Sequence, residues 1–226
     1  MRAAKGIPST AAITPIQFCE KYCQYVDEGY TDVIHVPINR SGSSTYNNAV
    51  MAQGMLREER PEHHLNIHLL DPHTYSMVFG WYVCEMARKL QNGAELRHVI
   101  GEFEAQMDKM EVILGPYSLK QMKKSGRISA AAAVMGELMG IRPIITLIDD
   151  KVIPAMIDLC KKRTEGVEDF DYMIGHTSIP QAVELEKACR RAFGKAPLTT
   201  FDLGGVVSAN TGPDTLALVY VGKPRG

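Results

Sequence analysis

Ser41, Ser43, Ser44 and Thr45 crowd into one short loop of Val33–Leu56, VIHVPINRSGSSTYNNAVMAQGML. Hydroxyls this close together suit three kinds of chemistry: cradling a phosphate, attacking an electrophile, or holding a carboxylate. The phosphate-loop pattern is excluded, because no Gly-Lys-Ser/Thr follows Gly42 at the required spacing. The strained turn that presents a nucleophilic serine is excluded as well, because Gly42-Ser43-Ser44-Thr45-Tyr46 lacks its second glycine. Hydroxyls and free backbone N–H groups at a helix start bind anions, helped by the helix dipole. An ordinary helix cap with Ser44 or Thr45 as the capping residue would leave the same pattern.

Other stretches offer weaker signals. Ser9 and Thr10 in IPSTAAITP precede a helix, where two hydroxyls are usually turn chemistry. Arg127 in KKSGRIS follows a glycine that permits a tight turn, and its forked donors suit a carboxylate or phosphate as well as solvent. Ser208, Asn210 and Thr211 lie in VVSANTGPDTL, where Gly-Pro already signals a turn. His176 in GHTSIP stands at a strand end, and a lone histidine is more often structural than catalytic. Cys19 and Cys23 share a helix face, but no second His or Cys pair stands at metal spacing, so no metal is expected. No Ser-His-Asp order and no carboxylate pair emerges.

The elements that must position these residues alternate between strand and helix. Thr14-Pro15 opens a helix to about Gly29, with Phe18, Tyr22 and Tyr25 at helical spacing. Val33–Ile38 reads as a strand, about Tyr46–Glu59 as a helix, and Leu65–Leu70 as a second strand. Helices over Ser76–Asn92 and about Ala94–Met110 lead to a third strand, EVILG. The ends of the first two strands carry the hydroxyl loop and Asp71–Ser76, and parallel sheets bind ligands outside such ends. The second half reads as a basic connector, a small-residue helix and a strand–Asp-Asp–strand hairpin over IRPIITLIDDKVIPAM. A short strand at DYMIGHT, a helix over Ile179–Phe193 and a last strand, TLALVYVG, follow. Two α/β domains are expected, 1–120 and 121–226, the first with a parallel sheet and the second with a mixed sheet.

With 226 residues, 45% of them hydrophobic and 23% charged, the chain can build a full core. Its net charge of −1 gives no footprint for nucleic acid or a membrane surface. No apolar run is long enough to span a bilayer, and the N-terminus lacks the apolar core of a signal peptide. Five irregularly spaced cysteines do not form a disulfide framework, so a cytoplasmic location is expected.

Taken in order, five stretches resemble the DegV family of bacterial fatty-acid-binding proteins. YSLKQMKKSGRISAAAAVMGELMGIRPIITLIDDKVIP is similar to the family's Gly-Arg-Ile-Ser segment, small-residue helix and Ile-(Lys/Arg)-Pro-Ile strand. LLDPHTYSMVFG keeps Asp71, Ser76, Met77 and Gly80 of a second motif. SGSSTYNNAVMA, STAAITPIQF and NTGPDTLALVY resemble three more. The resemblance runs from about Ile7 to Gly222.

It implies two α/β domains, with an acyl chain in a tunnel and its carboxylate at their junction. It also implies a carrier without catalysis of its own or any cofactor, which presents the carboxylate to a separate fatty-acid kinase. Thr10 and Ser43 would hydrogen-bond the carboxylate, with Ser9, Ser44 and Thr45 beside them. Arg127, Asn210 and His176 would stand near the head group or face the kinase. The twelve methionines suit an adaptable apolar tunnel and are equally ordinary core filler. The family's opening strand has no counterpart ahead of Thr10, so the first sheet is expected to be incomplete. Its Gln is Ala12, its final histidine is Asn210, and its Lys-Val-Arg stretch falls on Ile157-Asp158-Leu159. Two other readings compete: a hydrolase or acyltransferase using Ser43 or Ser44, and a vestigial interaction protein.

Overall fold

Thr14 caps the first helix as its sequence suggests. In the computed structural model, which describes residues 8–118, 120–125, 141–143, 151–177 and 179–223, its Oγ accepts from Gln17 N at 3.3 Å while the Gln17 side chain accepts the Thr14 N–H at 3.0 Å. Pro15 at the first helical position completes the start of α1 (Pro15–Asp27). β1 (Asp32–His35), α2 (Thr45–Glu59) and β2 (Asn66–Leu69) follow. The two strands pair in parallel, from Asp32 opposite Asn66 to His35 opposite Leu69. α1 lays Phe18, Cys19, Tyr22 and Cys23 against Ala49, Ala52 and Leu56 of α2, and both alanines are wholly buried, which lets the helix backbones approach closely. These elements form one compact unit, residues 11–73. β1 stops three residues before the expected Ile38, because Pro37 has no N–H to continue the ladder.

The second compact unit comprises residues 74–226 with the first ten. Two helices, α3 (Met77–Gln91) and α4 (Leu96–Met107), turn at Gly93, whose φ of 84° suits glycine. They lead into β3 (Met110–Pro116), all seven residues of which are buried. After α5 (Lys120–Ser125) come β4 (Ile141–Pro143), α6 (Val152–Arg163), β5 (Tyr172–His176) and α7 (Gln181–Phe193). β6 (Thr200–Asp202), α8 (Gly204–Thr211) and β7 (Thr215–Val221) complete the unit.

The five strands form one mixed sheet, ordered β4-β3-β7-β5-β6. β7 runs antiparallel to both β3 and β5, while β4 and β6 lie parallel to β3 and β5. The near-continuous apolar run of β7 is what a strand covered on both faces requires. Ile113, Met156, Cys160, Ile174, Leu185 and Leu218 share one core. One polar knot sits inside the unit. Glu111 accepts from Arg163 at 2.7 and 3.2 Å and from the Tyr220 hydroxyl at 2.6 Å.

An α/β chain with one parallel and one mixed sheet is therefore what the sequence foretells. Three local readings differ. The second strand of the expected hairpin is instead the start of α6, whose buried Val152, Met156, Ile157 and Cys160 follow the helical repeat. α8 includes the residues read as turn chemistry, and the basic connector contains α5. β3 pairs with β4 and β7. Arg127, the small-residue helix and the Asp149-Asp150 turn lie outside the described residues.

Candidate functional site

The loop from β1 to α2 holds the hydroxyls at the start of a fifteen-residue helix. The Ser43 Oγ lies 2.7 Å from the Thr45 Oγ and accepts the Thr45 N–H at 3.2 Å. Ser44, one of the two expected caps, is exposed and makes no side-chain cap bond. Ser43 thus takes over that task one position earlier.

Asn39 and Asp71 support this loop from below. Asn39 is wholly buried; its Oδ1 accepts the Ser41 N–H at 2.8 Å and its main-chain oxygen accepts the Gly42 N–H at 3.2 Å. Asp71, just past β2, accepts the His73 N–H at 2.9 Å and the Arg40 N–H at 3.4 Å. Its other oxygen is 3.4 Å from His73 Nδ1 and 3.6 Å from Arg40 Nε. The loops at the ends of the two parallel strands therefore meet, as the alternation of elements implied. Among the described residues the buried Asn39 Nδ2 has no hydrogen-bond partner. The sequence signal for Asn39 is a polar amide directly after the apolar run Val33–Ile38.

In the other unit, Asn210 on α8 donates to the Val206 carbonyl at 2.9 Å and approaches the Thr10 hydroxyl at 3.5 Å. Two residues two hundred positions apart are so brought together. The Ser125 hydroxyl donates to the Asn210 carbonyl at 3.3 Å. Ser208 and Thr211 donate to carbonyls four residues back, at 2.7 and 3.1 Å, and so serve their own helix. Ser76 sits at φ 60°, ψ −150°, a strained setting for a residue with a side chain, and donates to the Leu203 carbonyl at 3.2 Å. Ser9 is exposed. His176 is half-buried, its Nδ1 3.5 Å from Asp202.

Base-assisted attack by Ser43 finds no support in this geometry. Among the described residues no imidazole hydrogen-bonds its hydroxyl. The His35 Nδ1 is 2.7 Å from the Tyr22 hydroxyl, and burial pushes the imidazole below its ordinary pKa. Burial pushes the Tyr22 phenol the other way.

A parallel strand pair with hydroxyls at the following helix start, together with a mixed sheet, defines an α/β protein. The family model described as "Uncharacterised protein, DegV family" matches residues 1–223, and the chain belongs to the DegV family. A DegV domain-containing protein of Staphylococcus aureus strain COL is 28% identical over 240 residues, covering 99% of this chain and 80% of that protein. One from Clostridium acetobutylicum is 28% identical over 229 residues, covering 96% and 79%.

The fold is shared with a stearic acid-binding protein of Eubacterium ventriosum at a TM-score of 0.81 and 20% identity, over 97% of this chain and 80% of that one. A fatty acid binding DegV family protein of Streptococcus agalactiae gives a TM-score of 0.79 at 22% identity, over 98% and 81%. Among the described residues no helix is long and apolar enough to cross a membrane.

Proposed function

We propose that this chain binds a long-chain fatty acid and carries it, without transforming it, to a separate kinase. The observation that carries this reading is the fold shared over nearly the whole chain with proteins that bind fatty acids. Within that fold, Ser43 holds its hydroxyl at the start of α2, where the helix dipole favours a carboxylate. Ser43 donates to the carboxylate, Thr45 backs the Ser43 oxygen, and Ser44 stands beside them. Thr10 is the second carboxylate donor and Ser9 its neighbour. Asn210, His176 and Arg127 belong to the head group or to the face the kinase meets; Arg127 rests on the family resemblance alone. The kinase would transfer the terminal phosphoryl group of ATP to a carboxylate oxygen, giving an acyl phosphate and ADP. Such a partner would be met in the cytoplasm, where the five free cysteines stay reduced.

Native against denaturing mass spectrometry of the protein purified from bacteria tests the carrier reading. The expected result is an extra mass that leaves on denaturation and matches a long-chain acid. A chain with no added mass that also fails to take up palmitate would overturn it. For the kinase step, Arg127→Ala should slow acyl phosphate formation more than it weakens binding. Equal losses would make the arginine a simple anchor.

A further inference from the structure

Cys19 and Cys23 occupy successive turns of one face of α1. The last residue of α2, Glu59, reaches the same spot from forty positions away. The two sulfurs and a Glu59 carboxylate oxygen all lie within 4.8 Å of one another, and Cys19 Sγ is 3.7 Å from Glu59 Oε2. Both cysteines are buried, while Glu59 is exposed and offers an entry path. Zinc–sulfur and zinc–oxygen bonds of ordinary length, about 2.3 and 2.1 Å, set a tetrahedral sulfur–oxygen edge of about 3.6 Å. The observed pair already has that spacing.

We propose that Cys19, Cys23 and Glu59 form a binding site for a thiophilic divalent cation of the zinc type, distinct from the fatty-acid site. The cysteine spacing offered only two ligands; the third comes from a different helix, which no local pattern could reveal. Two thiolates and one carboxylate satisfy zinc or cadmium and leave a fourth position for water. The ion would clamp α1 to the end of α2 and so brace the unit that carries the hydroxyl loop.

Before metal enters, the Cys19 thiol donates to Glu59. Tyr22 and Cys23 from α1 and Glu59 from α2 are the titratable groups facing it. Metal–sulfur bonds replace the thiol protons, so loading releases protons and uptake weakens as pH falls.

The test is titration of the full chain, reduced and stripped with chelator, first with cobalt(II) and then with zinc in competition. Expected are one ion per chain, a thiolate-to-cobalt charge-transfer band, and proton release on binding. Cys19→Ser and Cys23→Ser should abolish the band, and Cys84→Ser, at an exposed cysteine, should leave it intact. Glu59→Gln changes an exposed side chain and keeps the fold, so it separates ligation from helix packing. It should weaken binding at least about tenfold and remove any rise in melting temperature on adding zinc. Absence of the band would overturn the proposal, as would a band surviving in Cys23→Ser or an unchanged affinity in Glu59→Gln. The thiol–carboxylate hydrogen bond would then be the whole role of the cluster.

Discussion

Ser43 answers two demands with one oxygen. It accepts the Thr45 N–H at 3.2 Å while the neighbouring hydroxyls pair at 2.7 Å. If Thr45 is the donor in that pair, the Ser43 proton is left for a carboxylate. Ser43→Ala therefore removes a charge-assisted hydrogen bond of about 1.5–3 kcal/mol, which is about a 10- to 150-fold weaker fatty-acid Kd. It also costs about 1 kcal/mol of stability through the lost cap. Ser44→Ala, at an exposed side chain without a cap bond, should leave stability unchanged. Displacement of a fluorescent acid and a thermal melt read the two effects separately, and an unchanged Kd in Ser43→Ala would take this serine off the carboxylate. His35 adds a pH signature. Burial against Phe18 and Tyr22 lowers its folded-state pKa, so below about pH 6.5 the unfolded chain takes up a proton that the folded chain refuses. This contribution is complete above that pH and is lost as the pH falls toward the folded-state pKa. Urea midpoints measured across this range should decline on the acid side, and less so in His35→Gln. Equal slopes in both proteins would mean that other groups govern the acid limb.

At the level of elements, α6 lies on β3 with almost no clearance. A side chain added at Gly115 would meet Met156 Sδ at 2.6 Å and Val152 Cγ1 at 2.7 Å. Met156 can bend away, but Val152 is β-branched and stiff. Gly115→Ala should therefore destabilise the fold by about 1–3 kcal/mol, seen as a lower denaturant midpoint with an unchanged slope. A midpoint equal to the parent's would mean that the helix can slide on the strand. The same helix marks the limit of what its sequence discloses. Ile-Arg-Pro-Ile and Lys-Val-Ile-Pro flank an Asp-Asp pair, so β-branched residues and turn chemistry together suggest a hairpin. Contact with β3 instead selects the weaker helical repeat of Val152, Met156 and Cys160, and the basic Lys161–Arg163 suits the final turn. α8 was equally hidden, because its hydroxyl-rich stretch reads as turn chemistry, whereas Ser208 and Thr211 bond back to carbonyls of their own helix. Thr14-Pro15, the Gly93 turn and the apolar run of β7 were legible because each is a local rule obeyed locally. The meeting of Thr10 with Asn210, and of Asp71 with Arg40, depends on how distant strands and helices assemble, which residue types alone do not specify.

For the molecule as a whole, the proposed cargo is mostly hydrocarbon, and the formal net charge of −1 contributes little long-range attraction for its head group. Affinity should then reside in the tail, with the hydroxyls setting its orientation. Each buried methylene is worth about 0.8 kcal/mol, so lengthening the acid by two carbons should tighten binding about 15-fold. The gain should continue while the added carbons enter the proposed tunnel and stop when it is full. An acid held only by the folded chain should raise the melting temperature along the same series, following RT ln(1 + [L]/Kd). Saturated acids from octanoate to stearate, each titrated well below its micelle-forming concentration, make the measurement. A steep rise ending in a sharp break would give the tunnel length directly, and the same break should survive Ser43→Ala with every Kd shifted by one constant factor. Chain-length-independent binding would leave only a carboxylate site on the surface and defeat the carrier reading. A break that moves in Ser43→Ala would mean that the head group no longer fixes where the tail begins.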